Sequence, residues 1–448
     1  MGIIVIVVSA FLAKIDCTLG RKWSKQQVLD SGLNFAHYLL RECAVRKGEV
    51  ICFASNNSDI HAVGLIGSLA AGLVYCCLAE HSSLDRPTDP SITTPALEDI
   101  FTKQRDYSLH LPVRTQLNDT ATYGLSSGST GAPKAIIKTN GNHLATVEAL
   151  QHREMQWMNH DDIMLSSNFC HASGQRCLFS AINAGAQLAI VRVDENLDDI
   201  YGNINKYGIT TGFLIPTQLN YLAKNYDKID RDYLTSLRDV TTGAAPIAEA
   251  TFRCIQDKYA FKKFRMCYGM TEVGWVSQVP VTGCHACSDY TNVGKLTFNT
   301  RLKKTPGYLN NPDENAKVFT TDGFLKSGDI GYYDENGFIY IVGRIKDIIN
   351  VERTIVTPAE IENVLLTHRD VINAAVFGVR DEDRGEVPMA FVTLAQGSTV
   401  SAQEIVDYVD SRVNYYKKLR GGVRILNSMP MTSLKKINRA ELKKLIVA

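Results

Sequence analysis

Apolar runs with strand spacing, each handing over to a stretch of helical periodicity, constrain this chain more than any other feature. Glu49 to Ala54 precedes His61 to Ala71, Ile163 to Ser166 precedes Gly174 to Ala184, and Gln187 to Arg192 precedes Leu197 to Lys206. Thr210 to Pro216 then leads into Gln218 to Lys224, and Leu237 to Thr242 into Ile247 to Asp257. Strands that alternate with helices in this way predict an α/β fold of largely parallel sheets with flanking helices. At 448 residues there is room for two or three domains, and 45% hydrophobic residues suit a large core. After Lys346 the pattern restarts on a smaller scale. Thr357-Pro358-Ala359-Glu360 reads as a capping box with Pro at the first helical position, opening a helix to about His368, and Ser401-Ala402-Gln403-Glu404 opens another. Strands over Val371 to Val379, Met389 to Leu394 and Val423 to Asn427 complete a small α+β unit. The predicted domains are 1–345 and 346–448, joined by a linker at Gly343 to Asp347.

Charge and cysteine usage narrow the class. A formal net charge of +1 gives no electrostatic case for nucleic acid or an acidic membrane surface. Eleven cysteines, an odd number scattered along the chain, read as reduced thiols and favour an intracellular, cytoplasmic location. Cys284-His285-Ala286-Cys287 resembles half of a zinc site, but no second pair lies at ligand spacing. Gly2 to Ala13 is apolar enough to resemble a signal-peptide core, without a preceding basic side chain and too short to span a bilayer; membrane association or secretion stays open on that stretch. Ile446-Val447-Ala448 is not the peroxisomal Ser-Lys-Leu address. Nothing in the sequence fixes an oligomeric state.

Ser126-Ser127-Gly128-Ser129-Thr130-Gly131-Ala132-Pro133-Lys134 lies between apolar Tyr123-Gly124-Leu125 and strand-like Ala135-Ile136-Ile137. Gly128 and Gly131 allow positive φ and close approach to an anion, the hydroxyls add donors, and Lys134 adds a point charge. The pattern points to a polyphosphate held at a tip between two strands. It is not the Gly-x4-Gly-Lys-Ser/Thr P-loop, because Lys134 follows Pro133 and precedes Ala135. By composition alone, an ordinary surface turn also fits.

Four further motifs decide between these readings: Tyr268-Gly269-Met270-Thr271-Glu272, Lys326-Ser327-Gly328-Asp329, Gly343-Arg344-Ile345-Lys346-Asp347, and Pro430-Met431-Thr432-Ser433-Leu434-Lys435-Lys436-Ile437. With the loop, their order and spacing resemble the acyl-adenylate-forming superfamily of acyl-CoA synthetases, 4-coumarate-CoA ligases, beetle luciferases and peptide-synthetase adenylation domains. That resemblance implies a large AMP-binding domain and a small mobile lid. It also implies activation of a fatty or aryl acid by ATP and Mg2+, followed by transfer to coenzyme A.

It carries roles onto residues one by one. Ser126, Ser127, Gly128, Ser129, Thr130, Gly131 and Lys134 would clamp the pyrophosphate, with Thr130 and Glu272 as magnesium ligands, hard oxygens for a hard cation. Thr271 would donate to the α-phosphate. Tyr268, followed by Gly269, would stack on adenine, with the backbone of Gly243, Ala244 and Ala245 on the other side. Asp329 would accept the ribose hydroxyls beside Arg344, as suits an acceptor-only carboxylate. Lys436 would offset charge where carboxylate attacks phosphorus, His171 would gate the acyl pocket, and Lys346 would be the hinge. No aspartate occupies 169–173 to hold a substrate ammonium, which favours a plain carboxylic acid.

Three departures accompany the likeness. Asn350 to Val356 carries bulky Arg353 and Ile355 where relatives have glycine-rich sequence beside the thiol tunnel. The chain is short near 79–120 and near 300–307, and missing strands would leave sheet edges to be covered. An adenylating enzyme with a different acceptor, or a nucleotide- or acyl-binding pseudoenzyme, are the alternatives these departures raise.

Overall fold

The computed structural model describes residues 14–78, 100–126, 134–192, 196–280, 289–432 and 436–447, apart from 102, 107, 109, 230, 260, 299 and 301–303. Strands β1 (Lys14–Asp16), β2 (Arg21–Trp23), β3 (Val50–Ala54), β4 (Val74–Leu78), β5 (Thr120–Ser126) and β6 (Lys134–Thr139) come first. Then β7 (Ile163–Leu165), β8 (Gln187–Ile190), β9 (Thr211–Phe213), β10 (Asp239–Thr242) and β11 (Lys263–Met270) follow with one α-helix in each interval, as the alternation predicts. β12 (Gly274–Gln278), β13 (Lys295–Leu296), β14 (Asp329–Tyr333) and β15 (Ile339–Arg344) lead to the C-terminal part. That part holds β16 (Ile349–Val351), β17 (Thr354–Val356), β18 (Val371–Asp381), β19 (Gly385–Leu394) and β20 (Val423–Ile425).

Among the described residues, β11, β10, β9, β7, β8 and β1 form a parallel run, flanked by antiparallel β12 and β13 at one edge and β2 at the other. All four residues of β10 are buried, as befits a strand covered on both faces. A second sheet, β3-β4-β5-β6, is parallel except for the final pair. The helix Asp59–Ala70 belongs to the core between them, and its crossing with the helix Lys25–Arg41 is tight. A Cβ on Gly67 would lie 2.5 Å from the Gly32 carbonyl. β16 to β20 make a separate five-stranded sheet with its own core around Val351, Leu365, Val376 and Val392. The three-residue 3-10 turn Ile345–Asp347 connects it to the rest.

Two expectations are corrected. Ser401 forms its capping box with Glu404, but Thr357 does not cap its helix, and its Oγ1 is buried without a hydrogen bond among the described residues. Glu360 instead reaches Lys417 at 3.1 Å, a partner from a distant part of the chain that no local pattern contains. Nor are all the thiols free: Cys77 and Cys170 are joined as a disulfide, Cα atoms 4.8 Å apart. Cys284 and Cys287 lie outside the described residues, as does the apolar segment 1–13.

Two strand edges are covered by backbone. Ile137 N–H donates to Gly307 at 3.0 Å and Leu309 N–H donates to Ala135 at 2.8 Å, so 307–309 runs along the outer edge of β6. In the same way, Val293 and Gly294 exchange hydrogen bonds of 2.9 and 2.8 Å with Ile339, covering β15. No described helix is long and apolar enough to cross a membrane.

Candidate active site

Ligand sites of parallel sheets form where strands end, and here β10 ends at Thr242, level with Met266, while β11 runs on to Met270. Gly243 follows β10 so closely against β11 that a Cβ would meet the Cys267 carbonyl at 2.5 Å. Ala244 then takes a left-handed φ of 72°, unusual for a residue with a side chain. Ala244 and Ala245 are left exposed. On the neighbouring strand, the pairing of β11 with β12 shifts register at Tyr268/Gly269, where any Cβ on Gly269 would sit 2.2 Å from the Gly274 carbonyl. This bulge re-aims the end of the strand, and Thr271 and Glu272 form the turn.

Asp329 and Arg344 face each other across the β14–β15 ladder and make an ion pair of 2.8 Å. The Tyr268 hydroxyl donates to the other Asp329 oxygen at 2.5 Å. Burial, and then that carboxylate, push the Tyr268 phenol above its ordinary range. Glu272 accepts the Tyr308 hydroxyl at 2.8 Å through Oε1, and its second oxygen has no hydrogen bond among the described residues. Lys134, at the start of β6, pairs with Glu314 at 2.7 Å and lies 5.5 Å over the Tyr308 ring. Ser126 ends β5, whereas Ser127, Gly128, Ser129, Thr130 and Gly131 lie outside the described residues.

A cavity of about 560 Å3 opens beside this cluster. Thr271, Ala244, Gly269, His171 and Trp275 line it, and Lys436 enters from the C-terminal part. Loss of water, then the charge on Arg344, lowers the Lys436 ammonium from its usual range. The His171 imidazole is held down to about 4 by burial first and the Lys436 charge second. His171 Nε2 has no hydrogen-bond partner among the described residues. Lys346, in the connecting turn, is lowered by partial burial.

Motif reading therefore brings together Thr271, Glu272, Tyr268, Asp329, Arg344, His171 and Lys436, and misses the cavity's other basic walls. Arg176 and Arg192 line it without belonging to any motif. For Arg176 a signal exists: Ala172, Ser173 and Arg176 fall on one face of the helix Ala172–Ala184.

Comparison with known proteins accords with this arrangement. An AMP-binding enzyme profile matches residues 84–305, and an AMP-binding enzyme C-terminal domain profile matches 360–436. The 4-coumarate-CoA ligase-like 6 protein of Arabidopsis thaliana is 30% identical over 359 residues, 73% of this chain and 63% of that protein. Luciferin 4-monooxygenase of Photinus pyralis is 31% identical over 348 residues, 72% and 62% of the two chains. The chain thus spans a little under two thirds of these relatives' length. Among solved structures, ATP-bound MatB of Rhodopseudomonas palustris superimposes with a TM-score of 0.84 over 97% of this chain and 96% of its own, at 19% identity. O-succinylbenzoate coenzyme A synthetase (MenE) of Bacillus subtilis, with ATP and magnesium, gives 0.81 over 98% of each chain at 22% identity. These structural likenesses share the adenylate-forming fold.

Proposed function

The chain belongs to the acyl-adenylate-forming superfamily of AMP-binding enzymes, and we propose that it is an AMP-forming acid-thiol ligase. A fatty or aryl acid is activated with ATP to an acyl-adenylate and then passed to coenzyme A. The observation that carries this reading is Lys436, a residue of the C-terminal part, lining the same cavity as Thr271 and His171. Its ammonium has no hydrogen bond or ion pair among the described residues.

Attack of a carboxylate oxygen on the α-phosphorus breaks the bond to pyrophosphate and brings two anions together, so fixed positive charge is what the step needs. Lys436 supplies it without reorganisation, and Thr271 adds a hydroxyl donor. Asp329, held between Tyr268 and Arg344, suits ribose hydroxyls. The left-handed Ala244 turn leaves a flat, uncrowded surface beside Tyr268 for adenine.

The free oxygen of Glu272 fits magnesium, which would supply charge neutralisation at the phosphates, together with Thr130. No described group of three or more His, Cys, Asp or Glu holds a metal by itself, so the remaining ligands would be phosphate oxygens and water. We take 1–345 and 346–448 as the two domains, and the turn at Lys346 as the hinge about which the second rotates to admit the thiol. A cytoplasmic location belongs to the same proposal, supported by seven free cysteines among the described residues.

ATP–pyrophosphate exchange across fatty and aryl acids tests the first step. Lys436→Ala is expected to reduce exchange by about 100- to 1,000-fold, and absence of exchange above that variant for every acid overturns the reading. Coenzyme A-dependent thioester formation tests the second step.

A further inference from the structure

Arg176 lines the cavity and has no counter-charge there among the described residues. Its guanidinium lies 4.6 Å over the Trp275 ring. Arg176 makes no hydrogen bond or ion pair among the described residues, and none of the residues lining the cavity is Asp or Glu. The thiols beside it do not compensate. Cys177 and Cys267 are both pushed up to about 12, by burial before any other cause, and are neutral at pH 7. Arg176 is half-buried, and a planar fork of five donors matches the bidentate geometry of a carboxylate, as it does that of a phosphate. The cation–π contact with Trp275 orients the guanidinium and leaves its in-plane donors for a ligand.

Lys436 lines the same cavity and already answers the carboxylate that is to be activated. We propose that the acid is a dicarboxylate, with one carboxylate at Lys436 and the second, unreacting carboxylate on Arg176. The inference deepens the ligase reading and rests on it for the first carboxylate. Phe213, Ile215 and Trp275 line the cavity as apolar wall for the carbon chain between the two anions, and a volume of about 560 Å3 is within the ordinary range for a small-molecule site. Only the first carboxylate changes: it forms the bond to phosphorus as pyrophosphate leaves. The second keeps its charge throughout and acts as an anchor.

The test compares exchange with acids matched in carbon number, hexanoate against adipate and octanoate against suberate, in the wild-type chain and in Arg176→Met and Arg176→Lys. The diacid is expected to be preferred. Arg176→Met should lose about 10- to 100-fold in kcat/KM for the diacid, the range of a charged hydrogen bond, mostly through KM, and little for the monoacid. Arg176→Lys, which keeps the charge without the fork, should fall between. Equal losses for both acids, or a wild-type preference for the monoacid, overturn the assignment. Calorimetric titration of adipate and hexanoate without ATP separates this inference from the activity. If no acid supports exchange, the ligase reading falls, and adipate binding that is lost in Arg176→Met still upholds the anchor. Adipate binding no tighter than hexanoate refutes it, including if the variants do not fold.

Discussion

His171 sits where lost water and the Lys436 charge act in the same direction, holding the imidazole at about 4 against an ordinary 6.5. It is neutral in the folded protein at pH 7. Between those two values the unfolded chain binds the extra proton, so stability falls as pH drops from about 6.5 towards 4. His171→Phe, which cannot take the proton, should therefore lose less stability than the wild type between pH 7 and pH 5. Urea midpoints of the two proteins measure the difference, in which titrations elsewhere cancel, and parallel losses would contradict burial of the ring. Lys436 and His171 are each legible in the sequence through their motif neighbours. Arg176 belongs to no motif, and its only trace in the sequence is the helical spacing that puts it on one face with Ala172 and Ser173. What the sequence also conceals is that Lys134 pairs with Glu314, since side-chain partners nearly 200 positions apart leave no local trace.

Among the elements, the hairpin β16–β17 explains one departure from the family pattern. Its two turn residues, Glu352 and Arg353, have φ of 49° and 66°, the left-handed conformation that two-residue hairpins ask of Asn or Gly. Glu352 is tied down: its N–H donates to the Arg384 carbonyl at 2.9 Å, its carboxylate pairs with Arg384 at 3.0 Å, and the Tyr415 hydroxyl donates to it at 3.2 Å. Arg353 has no such bonds among the described residues. Arg353→Gly should then raise stability by about 0.5–1 kcal/mol, because it removes a left-handed side chain and loses no contact. An unchanged or lower denaturation midpoint would mean that the turn has compensations elsewhere. The glycine-rich pattern of relatives is thus legible as a conformational demand that this chain meets with strain. The helices and strands of the alternating region fall close to their expected bounds because periodicity is local. At Thr357 the capping box is absent: the Glu360 N–H donates to the Thr357 carbonyl at 3.3 Å, and the Glu360 carboxylate pairs with Lys417, remote in sequence.

For the molecule as a whole, the question is what keeps Lys436 in the cavity. Lys224 ends the helix Pro216–Lys224 and reaches across to the carbonyls of Leu366 and His368, 3.2 Å from each, at the C-terminal end of the helix Pro358–Thr367. Asn220 adds a hydrogen bond of 2.8 Å to the Ile372 carbonyl. The last carbonyls of a helix carry partial negative charge, and a cation there is worth about 1 kcal/mol. If the C-terminal domain turns about Lys346 between the two half-reactions, that energy belongs to the docked arrangement alone. Removing it shifts the docking equilibrium by about fivefold. Lys224→Met retains the apolar stem and loses the charge. It should lower ATP–pyrophosphate exchange by up to about fivefold, while thioester formation from preformed acyl-adenylate and coenzyme A stays unchanged or rises. Separate assays of the two half-reactions give the answer: losses of equal size in both would assign Lys224 to general stability and leave docking to Lys436 and Asn220, whereas opposite responses require that one cavity serves the two steps in turn.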